Sequence, residues 1–196
     1  MDEYLRNAIV DSMSFDPNNI YESREFKSDR DLKFFFVSSG QQDLIKAIQY
    51  AYVEEYEGHE VFNLGFGDYD INNDTVDDAS TTNNTDSRKV FNTVLITIPA
   101  FFEYNPEKML IVQGSDSRPG FKEKCNETCK KKCGENCRKF NQRIRIYRSF
   151  VELHFDELNA DYQFFGGFKD ENENSIKEEY IKGKDYTSVL LIKRNK

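Results

Sequence analysis

Apolar positions along the chain fall into short runs whose period changes from two to about 3.6, and those changes mark the elements. Leu32 to Val37 reads Leu-Lys-Phe-Phe-Phe-Val and stops at Ser38-Ser39-Gly40. An aromatic and β-branched run closed by turn residues predicts a first strand. Alternation over Leu44 to Val53 predicts a second strand, Glu54 to His59 a polar turn, and Val61 to Phe66 a third strand closed by Gly67-Asp68. Three consecutive strands with short connections imply an antiparallel meander. Beyond an acidic loop, Val90, Val94, Ile98 and Phe101 or Phe102 recur at helical spacing to about Tyr104, with Thr85 or Asp86 as the cap. Pro99 lies inside that pattern and must kink the helix or end it early.

Lys108 to Gln113 reads as a fourth strand. Because a helix leads into it, it is expected to run parallel to a neighbour. Phe140, Ile144, Tyr147, Val151, Phe155 and Leu158 share one helical face, Tyr162 to Phe165 reads as a fifth strand ending at Gly166-Gly167, Asp170 to Asn174 as a turn, and Tyr186 to Ile192 as the last strand. The order βββαβαββ predicts an α+β fold in a single domain. Its mixed sheet, an antiparallel meander plus one parallel strand, packs against two main helices. Residues 32–196 are assigned to this domain, residues 1–31 to an N-terminal extension docked on it, and residues 118–140 to a Cys-rich basic insert. No internal repeat is visible.

Composition adds two constraints. The 196 residues include 17 Phe and 11 Tyr but no Trp, so the core is built from Phe, Tyr and aliphatics. No apolar run approaches the ~20 residues of a membrane span, and the opening Met-Asp-Glu-Tyr-Leu-Arg has no apolar signal core. A cytoplasmic protein without membrane attachment is the expectation. The net charge of −8 is unevenly spread: Arg118 to Arg148 holds eleven Lys or Arg against three Glu, and the remainder holds 16 basic against 32 acidic residues. One basic surface on an acidic body is predicted, fit either for an anionic partner or simply for solvation.

The cysteines are the sharpest chemical signal. Cys125, Cys129, Cys133 and Cys137 recur at constant spacing and are the only four in the chain. On one straight helix the first and last would lie ~18 Å apart, so a shared metal requires the chain to fold back. Lys130, Lys131 and Lys132, or Gly134 with its access to positive φ, offer the break. A structural zinc held by four thiolates is the leading expectation, since it needs no open coordination position and replaces a core that so short an insert lacks. Disulfides, free thiols and another metal remain as alternatives.

Two polar stretches compete for a functional role. Gly114-Ser115-Asp116-Ser117 ends the fourth strand and is followed, beyond the insert, by arginines on a helix. An anion-binding set of Ser115, Ser117, Lys130, Lys131, Lys132, Arg143, Arg145 and Arg148 follows from this order. The alternative is an ordinary turn whose arginines pair with the acidic body. Asp68, Asp70, Asp77, Asp78 and Asp116 form an alternative acidic site for a hard cation. Asp68-x-Asp70-x-Asn72-x-Asp74 opens like a calcium loop, but Asn73 replaces the required Gly and Ala79 the closing Glu. His59 and His154 are isolated, and no nucleophile, Walker or dinucleotide pattern is present.

Several segments together resemble a bacterial family of unknown function, domain of unknown function 6934. They are Phe34-Phe-Phe-Val-Ser-Ser-Gly40, Ile45-Lys-Ala-Ile48, Phe62-Asn-Leu-Gly-Phe-Gly-Asp68, Asp77-Asp78, Asn83-Asn84-Thr-Asp86, Val112-Gln-Gly-Ser-Asp-Ser117 and Arg143-Ile-Arg-Ile-Tyr-Arg148. The resemblance spans about Lys33 to Ile192. The cysteine insert separates the Gly-Ser and Arg-x-Arg parts, which most relatives keep nearly contiguous. The resemblance implies a fold and no activity. The order βββαβα is also similar to the start of ribonuclease H-like nucleases, but the first strand supplies no acid. The leading expectation is a non-enzymatic protein that binds nucleic acid or another polyanion, or an acidic protein, through a basic zinc-clipped protrusion. A metal-dependent nuclease or phosphoryl-transfer enzyme is one alternative, and a protein-interaction or toxin–antitoxin-like regulatory module is another. Oligomeric state is not legible.

Overall fold

The structure is a computed structural model in which residues 19–28, 31–77, 84–117, 120–129, 134–169 and 175–194 are described. The elements are β1 (Arg24–Lys27), β2 (Asp31–Ser38), β3 (Leu44–Tyr56), β4 (His59–Asp70), β5 (Thr75–Asp77), α1 (Ser87–Leu95), α2 (Thr97–Tyr104), β6 (Met109–Gln113), α3 (Phe121–Thr128), α4 (Gln142–Leu153), α5 (Phe155–Asp161), β7 (Tyr162–Lys169), β8 (Ser175–Glu179) and β9 (Ser188–Lys193). The described strands form one nine-stranded sheet in the order β1-β2-β3-β4-β6-β9-β7-β8, with β5 also on β4. It is a mixed sheet. The β4–β6 pair is parallel, with Val61 opposite Met109, and the other pairings are antiparallel. The α+β architecture, the meander and the parallel fourth predicted strand are all present.

Differences from the predicted elements have local causes. The polar turn at Glu54 to His59 shrinks to Glu57-Gly58, both at positive φ (50° and 81°), with β3 and β4 running up to it on either side. Such a two-residue turn carries the right-handed twist of its strands. β1 lies in the stretch assigned to the extension and pairs with β2, Arg24 opposite Phe35. β7 continues through Gly166 and Gly167, which the sequence suggested as its end. A Cβ on Gly166 would fall 2.1 Å from the Tyr186 ring, and one on Gly167 2.2 Å from Ser188 Oγ, so these glycines admit close approach within the strand.

Each predicted helix is two. The first ends at Leu95 and restarts at Thr97, placing Pro99 in the first turn of α2, where a missing N–H costs nothing. The second is interrupted at His154, and Phe140 stands outside it, because Asn141 takes positive φ (57°) and α4 begins after it. The predicted turn at 170–174 lies outside the described residues.

Side-chain alternation divides the sheet into two faces. Leu32, Phe34, Phe36, Ile48, Tyr50, Phe62, Leu64, Leu110, Val112, Phe164, Val189 and Leu191 form the main core with Val90, Val94, Phe101, Phe102, Ile144 and Leu158 from the helices. Tyr50 stacks on Phe101 at 4.8 Å, and its hydroxyl meets Thr97 Oγ1 at 2.6 Å, which satisfies the one polar atom that this ring brings inside. Each fully buried aromatic contributes about 1.5–3 kcal/mol. The opposite face carries the smaller Val61, Met109 and Leu190 cluster. An apolar cavity of ≈ 50 Å³ lies between helices and sheet, lined by Phe91, Tyr147 and Val151 among others. Its walls offer nothing to a charged ligand, so the candidate chemistry lies elsewhere.

The parallel β4–β6 pair fixes where that chemistry gathers. Both strands run toward the same end of the sheet, β4 past Asp68 and β6 to Gln113, while β2 ends there at Ser38 and β9 starts there at Ser188. Phe66, Phe91 and Tyr147 form a triangle of edge contacts at 5.5, 5.8 and 6.3 Å, joining β4, α1 and α4 near that end.

Candidate functional site

At the end of β6 the chain turns tightly through Ser115–Ser117, with the Ser117 N–H donating to the Gly114 carbonyl at 3.0 Å. Asp116 is buried, and its Oδ2 accepts the Arg143 N–H at 2.9 Å in the first turn of α4. An acceptor placed there satisfies one of the helix's orphan donors and complements its positive end. The Asn141 N–H also donates to the Asp116 carbonyl at 3.2 Å. The insert therefore leaves and returns at one point, bringing Gly114 to Ser117 and Arg143 to Arg148 together. Arg143 Nη1 donates to Ser115 Oγ at 3.2 Å, while the buried Ser117 Oγ and Asp116 Oδ1 have no hydrogen-bond partner among the described residues.

The other predicted anion ligands divide. Arg145 turns back to the carbonyls of Asn141, Phe140 and Arg138 at 3.1, 3.1 and 3.4 Å, with its side chain on the surface. Arg148 is only 8% exposed, and its Nη1 donates to Asp185 Oδ1. Burial acts to lower its pKa, but the hydrogen bonds to Asp185 and Tyr180 outweigh it and hold the guanidinium firmly charged. Its Nε is buried and has no hydrogen-bond partner among the described residues. Lys130, Lys131 and Lys132 lie outside the described residues.

Arg138, Arg145 and Arg148 line a cleft of ≈ 480 Å³ together with Asn136, Cys137, Phe140, Asn141, Ile144, Asp185, Tyr186 and Thr187. Its far wall is tied down by Tyr186, whose hydroxyl donates to Glu178 at 2.6 Å and accepts the Ile181 N–H at 3.2 Å. Burial, and then the Glu178 carboxylate, push this phenol up to about 12. Sequence reasoning missed Arg138, Phe140, Asp185 and Thr187. The only available signal was the basic and aromatic composition around Phe140.

The cysteine segment reverses direction beyond α3. α3 ends at Thr128, Gly134 takes φ 59°, and the short turn Gly134–Asn136 returns Cys137 toward α3. Burial, and then the neighbouring Cys137 and Cys129 thiols, push the Cys125 thiol up to about 11. Burial acts to raise Cys137, but the Lys139 N–H, the Cys125 thiol and the Phe140 N–H outweigh it and hold this thiol below its ordinary value. Cys133 lies outside the described residues, and among those described no group of three or more His, Cys, Asp or Glu side chains is placed to hold a metal ion.

The acidic alternative is not brought together among the described residues. Asp68 pairs with Lys46. Asp70 accepts the Asn72 N–H at 2.8 Å and the Asn73 amide at 2.6 Å, forming the turn between β4 and β5. Asp77 sits opposite Asp68 on β5, Asp116 caps α4, and Asp78 lies outside the described residues. His59 meets the Glu107 carbonyl at 2.9 Å and His154 meets Glu157 at 3.5 Å.

A second polar centre was not assigned from sequence. Asp86 Oδ2 accepts the hydroxyls of Ser38 at 2.6 Å and Tyr21 at 2.7 Å, and the Asn84 amide donates to Ser38 Oγ at 3.0 Å and to the Gln42 carbonyl at 2.8 Å. Gly40 admits this packing, since a Cβ there would fall 2.7 Å from Asn84 Cβ. Ser38, Gly40, Lys46, Asp68, Asn84 and Asp86 all belong to the motif segments, so the strand ends and the α1 cap are locked by one set of polar contacts.

A model of a family of unknown function, DUF6934, matches residues 18–119, just over half of the chain. The chain belongs to that family. The DUF6934 match takes in the Ser38–Asp86 centre and the Gly114–Ser117 turn and stops where the cysteine segment begins. Searches of curated proteins and of solved structures each found no match. Among the described residues no helix is long and apolar enough to cross a membrane.

Proposed function

We propose that this protein is a non-enzymatic binder of a phosphate-bearing polyanion, nucleic acid first, and that the ligand enters the cleft between α4 and the Asp185–Thr187 segment. The observation that carries this reading is the convergence of Arg138, Arg145 and Arg148 on one cleft, with the Arg148 Nε buried and without a partner among the described residues. Guanidinium groups match phosphate oxygens in charge and geometry. Phe140 adds a half-buried ring in the same lining, with Lys122 Nζ 4.7 Å from its centroid. An aromatic face beside arginines suits the bases of a single strand. A cleft of this size admits a nucleotide or two and no duplex groove, so a single strand is the preferred form.

The test is fluorescence anisotropy of a labelled single-stranded oligonucleotide titrated with the protein at several salt concentrations. Binding should weaken with salt, and both Arg138→Ala and Arg145→Ala should weaken it several-fold. Affinity unchanged in both variants, or no binding at low salt, rejects the reading. A protein partner is favoured by a different observation: Val37 and Ile45 lie opposite each other on β2 and β3 and are 48% and 41% exposed. A co-purifying protein lost on Val37→Lys would support that second reading.

A further inference from the structure

The cleft between α4 and the Asp185–Thr187 segment is lined by more than cations. Its three arginines can only donate hydrogen bonds, and phosphodiester oxygens can only accept them, so that part of the lining is complete with a phosphate chain alone. The far wall carries Asp185 and Thr187. Both present acceptors, and a phosphodiester has no donor to give them.

Asp185 Oδ1 accepts from Arg148 Nη1, yet the Asp185 side chain is 96% exposed, so its carboxylate is oriented by that contact and still open to a ligand. The Thr187 hydroxyl donates to the Gly167 carbonyl at 3.1 Å, which commits its proton and leaves its lone pairs. The backbone on either side is pinned. The Lys184 N–H donates to the Ile181 carbonyl at 3.2 Å across a turn that holds Gly183 at φ 81°, and the Thr187 N–H donates to the Gly167 carbonyl at 2.9 Å. Between them Tyr186 is buried. A wall fixed in advance in this way loses little freedom on binding.

A sugar–phosphate chain can meet such a wall in one of two ways. Deoxyribose linked at both ends carries no hydrogen-bond donor, whereas ribose keeps its 2′-hydroxyl, one donor per nucleotide beside the phosphate. A carboxylate is an established acceptor for that hydroxyl, as in dinucleotide sites. We infer that the single strand taken by this cleft is RNA, and that Asp185, with Thr187 beside it, reads the ribose 2′-hydroxyl. The inference rests on the polyanion reading of the cleft and adds to it the sugar that the cleft selects.

The experiment compares labelled oligouridylate with oligodeoxyuridylate of the same length, by anisotropy on the full chain at low salt. Uracil carries no amino group, so no base amine can supply the donor in place of the sugar. Oligouridylate should bind about tenfold more tightly, the worth of one hydrogen bond to a charged acceptor. Its 2′-O-methyl form, which keeps the oxygen and loses the donor, should fall to the deoxyribose level. In Asp185→Ala the ratio of ribose to deoxyribose affinity should drop to near one. The three affinities of the unaltered chain are read without any substitution, so the result does not hang on the folding of that variant. Equal affinity for the ribose and deoxyribose oligomers overturns the inference and leaves the polyanion reading standing. A 2′-O-methyl oligomer that binds like oligouridylate overturns it too, and so does a ribose preference that survives Asp185→Ala. Binding of none of the oligomers rejects the cleft as a polyanion site, and the inference falls with it.

Discussion

Gly114 and Asp116 show how little freedom the β6 corner has. A Cβ on Gly114 would fall 2.3 Å from Asp116 Oδ1 and 3.2 Å from both Arg143 Cβ and the Ile144 nitrogen. Two of those neighbours belong to a helix and cannot simply rotate away. Gly114→Ala should therefore destabilise the protein by about 1–3 kcal/mol, the usual result of overpacking. Asp116→Ala removes the acceptor at the start of α4 and should cost about 0.5–2 kcal/mol, with Asp116→Asn losing less because it keeps an acceptor. Urea denaturation of the three variants checks both expectations, and a stable Gly114→Ala protein would mean that the corner is looser than described. Asp86 carries a pH signature. Burial acts to raise its pKa, but the Ser38 and Tyr21 hydroxyls outweigh burial and hold it below the ordinary value. A carboxylate with a depressed folded pKa contributes stability that is full above its unfolded value, about 3.9, and is lost as pH falls through the folded value. The stability difference between wild type and Asp86→Asn should thus be constant near neutrality and shrink below about pH 4. A difference unchanged down to pH 2 would remove Asp86 from that role.

Elements were legible where one period dominates. Phe34 to Val37 and Met109 to Val112 needed only their apolar runs, and Pro99 announced the break before α2. What escaped depended on partners distant in sequence. β1 is a four-residue strand that exists because β2 offers a free edge, and Gly166-Gly167 signals a turn until Tyr186 and Ser188 are known to pack against it. The site divides in the same way. The return of Arg143 to Asp116 follows from motif order, and a fold-back of the cysteines follows from helix length. The burial of Arg148 and its pairing with Asp185, 37 residues later, had no local signal. Nor had the use of Asp70 and Asp74 within their own hairpin, where the Tyr69 hydroxyl donates to Asp74 at 2.9 Å. Acidic spacing alone cannot separate a turn from a cation site, because the same short side chains serve both.

For the whole molecule, charge and the cysteine segment act on the same cleft. The basic stretch from Arg118 to Arg148 faces an acidic remainder, and beyond a Debye length of about 8 Å at physiological salt the remainder contributes little to a ligand already in place. Contact limited to three arginines predicts a shallow salt slope, near −2 at about 0.7 per phosphate neutralised on a single strand. Cys137 and Arg138 are adjacent, and both line the cleft. Arg138 stands outside α4, on the segment that ends at Asn141, while α4 carries Arg145 and Arg148. Arg138→Ala should therefore bind the oligonucleotide more weakly, with a slope reduced by about 0.7, the share of one phosphate contact. A slope unchanged in that variant would mean that Arg138 touches no phosphate and that α4 and the Asp185–Thr187 segment hold the ligand without it.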